Sequence, residues 1–116
     1  LEAQAGYLDV LSPLLYHALQ GHPGDLGWIS SHVAWLGERL GVRGVPGERL
    51  RIWPIVQLAD LGAEIPAGQV PDIIRAGLAP PATGVMIFSW GRISRQPDKV
   101  AELGKCCREL ARTAPE

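Results

Sequence analysis

The run Gly84-Val85-Met86-Ile87-Phe88-Ser89-Trp90 is apolar from Val85 to Phe88 and ends on a serine and a tryptophan. It is too short for a buried helix and too continuous for a half-exposed antiparallel strand, so it reads as a strand of a parallel sheet. Two earlier runs have the same character, Leu8–Tyr16 and Arg51-Ile52-Trp53-Pro54-Ile55-Val56-Gln57-Leu58. Pro13 lacks an N–H and would remove a ladder bond, which predicts an irregular strand or one near a sheet edge. A helix-like stretch follows each run. Asp25 is placed to N-cap a helix reaching Leu40, with Gly41 just beyond its end. A shorter helix is expected over Gly68–Leu78, stopped by Pro80-Pro81, and a last one from Pro97 to about Arg112, with Val100, Leu103, Cys107, Leu110 and Ala111 on its apolar side.

The order is therefore βαβαβα, within one α/β domain spanning residues 1–116. Strand starts lie about 43 and 33 residues apart, a spacing suited to right-handed crossovers within one parallel sheet. Two closures fit: an open sheet, or the last three units of a (β/α)8 barrel. A whole barrel takes ~250 residues. Three strands leave two bare sheet edges, so the partner expected is an upstream barrel half or another copy of the chain.

Composition narrows the function classes. Net charge is −1 with no basic run, so neither nucleic acid nor an anionic membrane surface is an expected partner. No apolar stretch approaches the ~18 residues that a membrane helix needs. Gly41-x-x-Gly44-x-x-Gly47 follows a helix rather than a strand, so it reads as a turn and not as a phosphate loop. Cys106 and Cys107 are neighbours pointing about 100° apart on a helix, which rules out an ordinary disulfide between them. They read as two small buried helix residues, and the compartment stays undetermined. His17 and His22 have no third ligand in view, so no metal is expected, nor any other cofactor.

In parallel α/β folds, ligands gather at the C-terminal ends of the strands. The chemistry-bearing residues there are Tyr16, His17, Gln57, Asp60, Trp90 and Arg92. Strand alternation puts Ser12, Leu14 and Tyr16 on one face with Trp53, Ile55, Gln57, Met86, Phe88 and Trp90. Trp90 has the flat face and edge N–H that suit stacking on a sugar ring, and Tyr16 and Gln57 add hydrogen-bonding groups. Asp60 could accept a hydrogen bond or act as a base, and Arg92 could clamp an anionic group. No Gly-x-Ser-x-Gly elbow is present.

The segments Ser12-Pro13-Leu14-Leu15-Tyr16, Trp53-Pro54-Ile55-Val56-Gln57 and Gly84-Val85-Met86-Ile87-Phe88-Ser89-Trp90-Gly91 resemble strands six, seven and eight of TIM-barrel glycoside hydrolases. The similarity is greatest to chitinase-like family 18 enzymes and to uncharacterised glycosyl hydrolase barrels. In the chitinase-like family, strand six commonly ends Met-x-Tyr-Asp and a strand-eight Trp forms the floor of the sugar subsite. Leu14-Leu15-Tyr16-His17 and Trp90 occupy the matching positions. Two departures stand out. His17 replaces the family's Asp, and the strand-four Asp-x-x-Asp-x-Asp-x-Glu signature that supplies the acid is absent. The resemblance thus implies the carbohydrate-binding part of a glycoside hydrolase-like barrel, with an oligosaccharide or other small polar ligand at the strand ends. The catalytic acid would lie on upstream strands, and the chain alone would be inactive, since glycoside hydrolysis needs two carboxyl groups. The competing expectation is a non-catalytic half-barrel or small α/β interaction module that self-associates, which four Trp in 116 residues also fit.

Overall fold

A computed structural model describes residues 1–113. In chain order its elements are α1 (Glu2–Ala5), β1 (Val10–Leu11), β2 (Leu14–Leu15), α2 (Leu26–Leu40), β3 (Arg51–Ile52), β4 (Ile55–Val56), a 3-10 turn (Ala67–Gln69), α3 (Val70–Gly77), β5 (Met86–Ile87), α4 (Trp90–Ile93) and α5 (Pro97–Thr113). All strand pairs are parallel: β1 with β3, β2 with β4, and β4 with β5. The middle path of the sheet is β3–β4, flanked by β1–β2 on one side and β5 on the other.

The two prolines explain why the first two strand paths are each split in two. Register is unchanged across the break, with Leu11 opposite Ile52 and Leu14 opposite Ile55, so Pro13 stands opposite Pro54. The Trp53 N–H donates to the Leu11 carbonyl at 3.0 Å and the Ile55 N–H to the Pro13 carbonyl at 2.9 Å. Pro13 has no N–H with which to bond the Trp53 carbonyl in return. On the other side of the middle path the Met86 N–H donates to the Pro54 carbonyl at 2.8 Å, and Pro54 likewise cannot donate. Each proline keeps its acceptor and loses its donor. The strands survive as chain paths while the ladder is interrupted.

The helices cover one face of this sheet. Leu15 and Val56 are buried in a cluster with Ile29 and Val33 of α2, Ile73 and Ile74 of α3, and Cys106 of α5. Nearer the strand N-termini, Ile52 packs in a second cluster with Leu36 and Val42. Residues of the opposite parity behave differently: Leu14 is 50% exposed, and Met86 and Phe88 are also exposed. The alternation predicted from sequence shows in this contrast, with one face beneath helices and Leu14, Met86 and Phe88 exposed on the other, while Tyr16 and Gln57 of that same parity are buried at the strand ends.

Local signals placed α2 well. The Asp25 carboxylate accepts a hydrogen bond from the Trp28 N–H at 3.2 Å, and Gly41 ends the helix in the left-handed conformation at φ 67°. The second helix is shorter than expected at Val70–Gly77, because residues 67–69 form the tighter 3-10 turn before Pro71. On α5 the buried cysteine is Cys106, while Cys107 and Ala111 are exposed, which corrects the apolar stripe assigned above. Val100, Leu103 and Leu110 pack against the core as expected, joined there by Cys106, and Lys99 is buried beside them, a lysine that the apolar pattern alone does not count. Among the described residues no helix is long and apolar enough to cross a membrane.

The one-sided core predicts an asymmetry between neighbouring strand residues. Ile52→Ala, at a wholly buried position, should cost roughly 2–5 kcal/mol of unfolding free energy. Leu14→Ala on the bare face should cost under about 1 kcal/mol. Urea unfolding followed by circular dichroism measures both, and equal losses would contradict the layering.

Candidate functional site at the strand C-termini

Two side-chain contacts span the bare face of the sheet. The Ser12 hydroxyl reaches the Met86 Sδ at 3.3 Å, and the Tyr16 hydroxyl donates to the Phe88 carbonyl at 2.8 Å. Both contacts pass over the middle strand path and tie the first strand to the third. Trp53 turns its indole N–H to the Thr83 hydroxyl at 3.0 Å on the same sheet.

At the C-terminal ends of the first and third strands stand Tyr16, Phe88 and Trp90. Tyr16 is buried, and burial raises its phenol pKa, which keeps it a neutral donor. Phe88 is 64% exposed and Trp90, which opens α4, is 59% exposed. Trp90 stands outside the core cluster beneath the helices, leaving an indole free at the end of the third strand. Arg92, also on α4, is exposed.

The remaining candidates are engaged within the protein. Gln57 is wholly buried: its Oε1 accepts from the Leu19 N–H at 3.1 Å, and its Nε2 donates to the carbonyls of Ala59 at 2.9 Å and Leu61 at 2.6 Å. One carboxamide thus ties the loop after the first strand to the loop after the second. Gly62 permits the closeness, since a Cβ there would lie 2.7 Å from the Leu19 Cα, at a φ of 76°.

Asp60 has a similar role on the other side of that loop. Its Oδ1 accepts from the Ile65 N–H at 2.7 Å and from the Lys99 ammonium at 2.8 Å, and its Oδ2 accepts from Gln96 at 2.7 Å. The Ile65 and Lys99 bonds hold the carboxyl at a pKa of about 2, so it stays ionised and cannot serve as a general acid. Lys99 is itself buried, with a further bond to the Leu58 carbonyl at 2.6 Å. A cleft of about 340 Å³ opens beside this pair, between the 60–67 loop and the start of α5, away from the Tyr16–Trp90 rim.

His17 lies beneath the surface at the end of the first strand, wholly buried, and neither ring nitrogen has a hydrogen-bond partner within the protein. Burial lowers its pKa, with the Asp25 carboxylate acting weakly in the opposite direction. His22 stacks on Trp28 instead, with ring centroids 5.1 Å apart. Among the described residues no three His, Cys, Asp or Glu side chains gather as a metal site.

Of the six residues chosen from sequence, Tyr16 is buried and bonded to the Phe88 carbonyl of the third strand, while Trp90 and Arg92 are exposed just beyond that strand. It assigns Gln57 and Asp60 to holding loops and puts His17 out of a ligand's reach. Sequence reasoning missed Phe88 as a second exposed ring, and Lys99 and Gln96 as the groups that fix Asp60. A lysine in phase with the apolar stripe of α5 was the available signal for Lys99. Comparison with protein-family models, curated proteins and solved structures returns no match to this chain.

Two stability losses in acid follow, in separate windows. The folded pKa of His17 lies below its ordinary value of 6.5, so the unfolded chain takes up that proton first and stability falls as pH drops below about 6.5. Asp60, depressed from 3.8 to about 2, contributes stability that is lost only as pH falls from near 4 toward 2. Melting temperature against pH should show both declines. His17→Leu should remove the first and raise the melting temperature at pH 5, since it replaces a buried group without partners by an apolar one. A profile flat from about pH 7 to 5 in the parent protein would contradict the burial of a neutral His17.

Proposed function

We infer that this chain is the carbohydrate-facing part of a glycoside hydrolase-like (β/α)8 barrel, corresponding to its last three βα units. The reading rests chiefly on Trp90, an indole left 59% exposed at the C-terminal end of the third strand, beside the exposed Phe88 ring. Exposed rings at the C-terminal ends of parallel strands suit the apolar faces of pyranose rings, and burying such a face gains free energy without any charge. The Tyr16 phenol braces this rim by bonding the Phe88 carbonyl, so the platform is held by the first strand as well as the third. The order of strands, all parallel with consecutive neighbours adjacent, supports a barrel sector, as does the exposure of Leu14, Met86 and Phe88 on the face away from the helices.

The sugar would lie across Trp90 and Phe88, with Arg92 near enough in sequence to meet a carboxylate or sulfate substituent. Hydrolysis is a separate matter. Asp60 is the acid nearest a strand end, and it is held ionised by Ile65, Lys99 and Gln96. A retaining or inverting mechanism needs a second carboxyl group across the scissile bond, which in this reading comes from strands preceding these three.

Titration of the protein with chito- and cello-oligosaccharides, followed by intrinsic fluorescence, tests the reading. Binding is expected, and Trp90→Ala should weaken it by about 1–3 kcal/mol, the worth of a buried aromatic face. Trp35→Ala, on α2, should leave it unchanged. No binding by either series, or binding indifferent to Trp90→Ala, sinks the proposal. Aryl-glycosides should not be turned over by the isolated chain, and turnover lost in Asp60→Asn would show that Asp60 is the acid after all.

A further inference from the structure

The loop between the first strand and α2 is closed mainly on itself. Its backbone bonds are local: the Gln20 N–H donates to the Tyr16 carbonyl at 2.9 Å, Gly21 to Ala18 at 3.2 Å, His22 to His17 at 2.8 Å and Asp25 to His22 at 3.1 Å. Among the described residues, a single hydrogen bond joins residues 18–24 to a distant part of the chain, from the Leu19 N–H to the Gln57 Oε1 at 3.1 Å. The tip of the loop is unpacked, since a Cβ added at Gly21 or Gly24 would meet only open space. What anchors the loop is the burial of its first two residues, His17 and Ala18.

That anchor holds only while the His17 ring is neutral. Neither ring nitrogen has a partner within the protein, and an imidazolium without partners is far better placed in water than in such a setting. The Asp25 carboxylate at the head of α2 is the ionisable group whose field reaches the ring, and it offsets burial only in part. The charges of the next loop and of α5 are engaged with each other, Asp60 pairing with Lys99 at 2.8 Å. His22, the other imidazole of the loop, is partly exposed, with its Nδ1 3.9 Å from Asp25. Outside the interior, the His17 ring takes up a proton at its ordinary pKa of 6.5, so acid favours whatever arrangement releases it. Opening the loop uncovers Ala18 and breaks one distant hydrogen bond, whereas unfolding the sheet uncovers the whole cluster beneath α2, α3 and α5. The local response is therefore the less costly one.

We propose that the loop 17–24 is an acid-released latch: protonation expels the His17 ring, the loop opens while sheet and helices stay folded, and Gln57 lets go of Leu19. The Gln57 carboxamide then holds only the loop after the second strand, through Ala59 and Leu61. Tyr16, which bonds the Phe88 carbonyl, loses the buried neighbour that fixes its backbone. The strand ends are looser in mild acid as a result. None of this depends on sugar binding.

Amide hydrogen exchange followed by NMR, at about pH 7.5 and about pH 5 and expressed as protection relative to the unfolded chain at each pH, reads the outcome. Protection at Leu19, Gln20 and His22 should fall by about tenfold or more in acid, about thirtyfold being the ceiling for one group that titrates at 6.5 when free and not at all when buried. At the lower pH these amides should be insensitive to dilute urea, because a local opening exposes little surface. Ile55 and Met86, bonded across the sheet to the Pro13 and Pro54 carbonyls, should remain better protected and lose protection as urea is added. His17→Leu should abolish the pH dependence of the loop amides, and His22→Ala should leave it in place. Loop amides equally protected, or equally unprotected, at both pH values overturn the proposal. So do loop amides in acid with the protection and urea dependence of Ile55, which would mean that the proton acts only through global unfolding. A pH dependence that survives in His17→Leu, or vanishes in His22→Ala alone, overturns it as well.

Discussion

Burial of every second strand residue beneath three helices is the constraint from which the rest of this structure follows. Leu15, Ile52 and Val56 are driven under α2, α3 and α5, and the pleat then forces Leu14, Ile55, Met86 and Phe88 to the other side. Because the register between the first two strand paths is held on both sides of the Pro13–Pro54 break, this partition is not lost where the ladder is interrupted. A slip of one residue would exchange the two faces completely. The apolar contacts thus do what the missing backbone bonds cannot, fixing which side chains face away from the helices.

Polar groups at the strand ends serve this framework more than they serve a ligand. Gln57 sits where a substrate-binding amide would be expected, yet burial obliges it to satisfy its own donors and acceptor. It does so on the loop backbones at Leu19, Ala59 and Leu61. Lys99 carries a charge into the interior, and that is tolerable only because the Asp60 carboxylate and the Leu58 carbonyl meet it there. The ion pair fastens the start of α5 to the end of the second strand. What is left free at the rim is therefore aromatic and cationic, Phe88, Trp90 and Arg92, a surface for stacking rather than for proton transfer.

Two aromatic surfaces stand apart on this small domain, and their settings differ. Trp90 and Phe88 lie at the C-terminal end of the third strand, both more than half exposed. On α2, Trp35 is exposed while Trp28 packs partly against the core cluster.

The amino-acid sequence by itself determined the order of elements, the parallel character of the strands and the limits of α2. It also set the face on which each strand residue lies, because continuous apolar runs, the Asp25 cap, the Gly41 stop and strand alternation are all local signals. It also marked the break at Pro13, though not the one at Pro54. Tertiary structure alone decided which polar residues remain available. Whether Gln57, Asp60 or His17 can meet a ligand depends on groups distant along the chain, such as Leu19, Ile65, Gln96 and Lys99, and on which of them folding brings within about 3 Å. The phase of α5 was decided there too. Lys99 is polar by composition, but its ammonium finds partners in the interior, and that turns Cys106 inward and Cys107 to solvent.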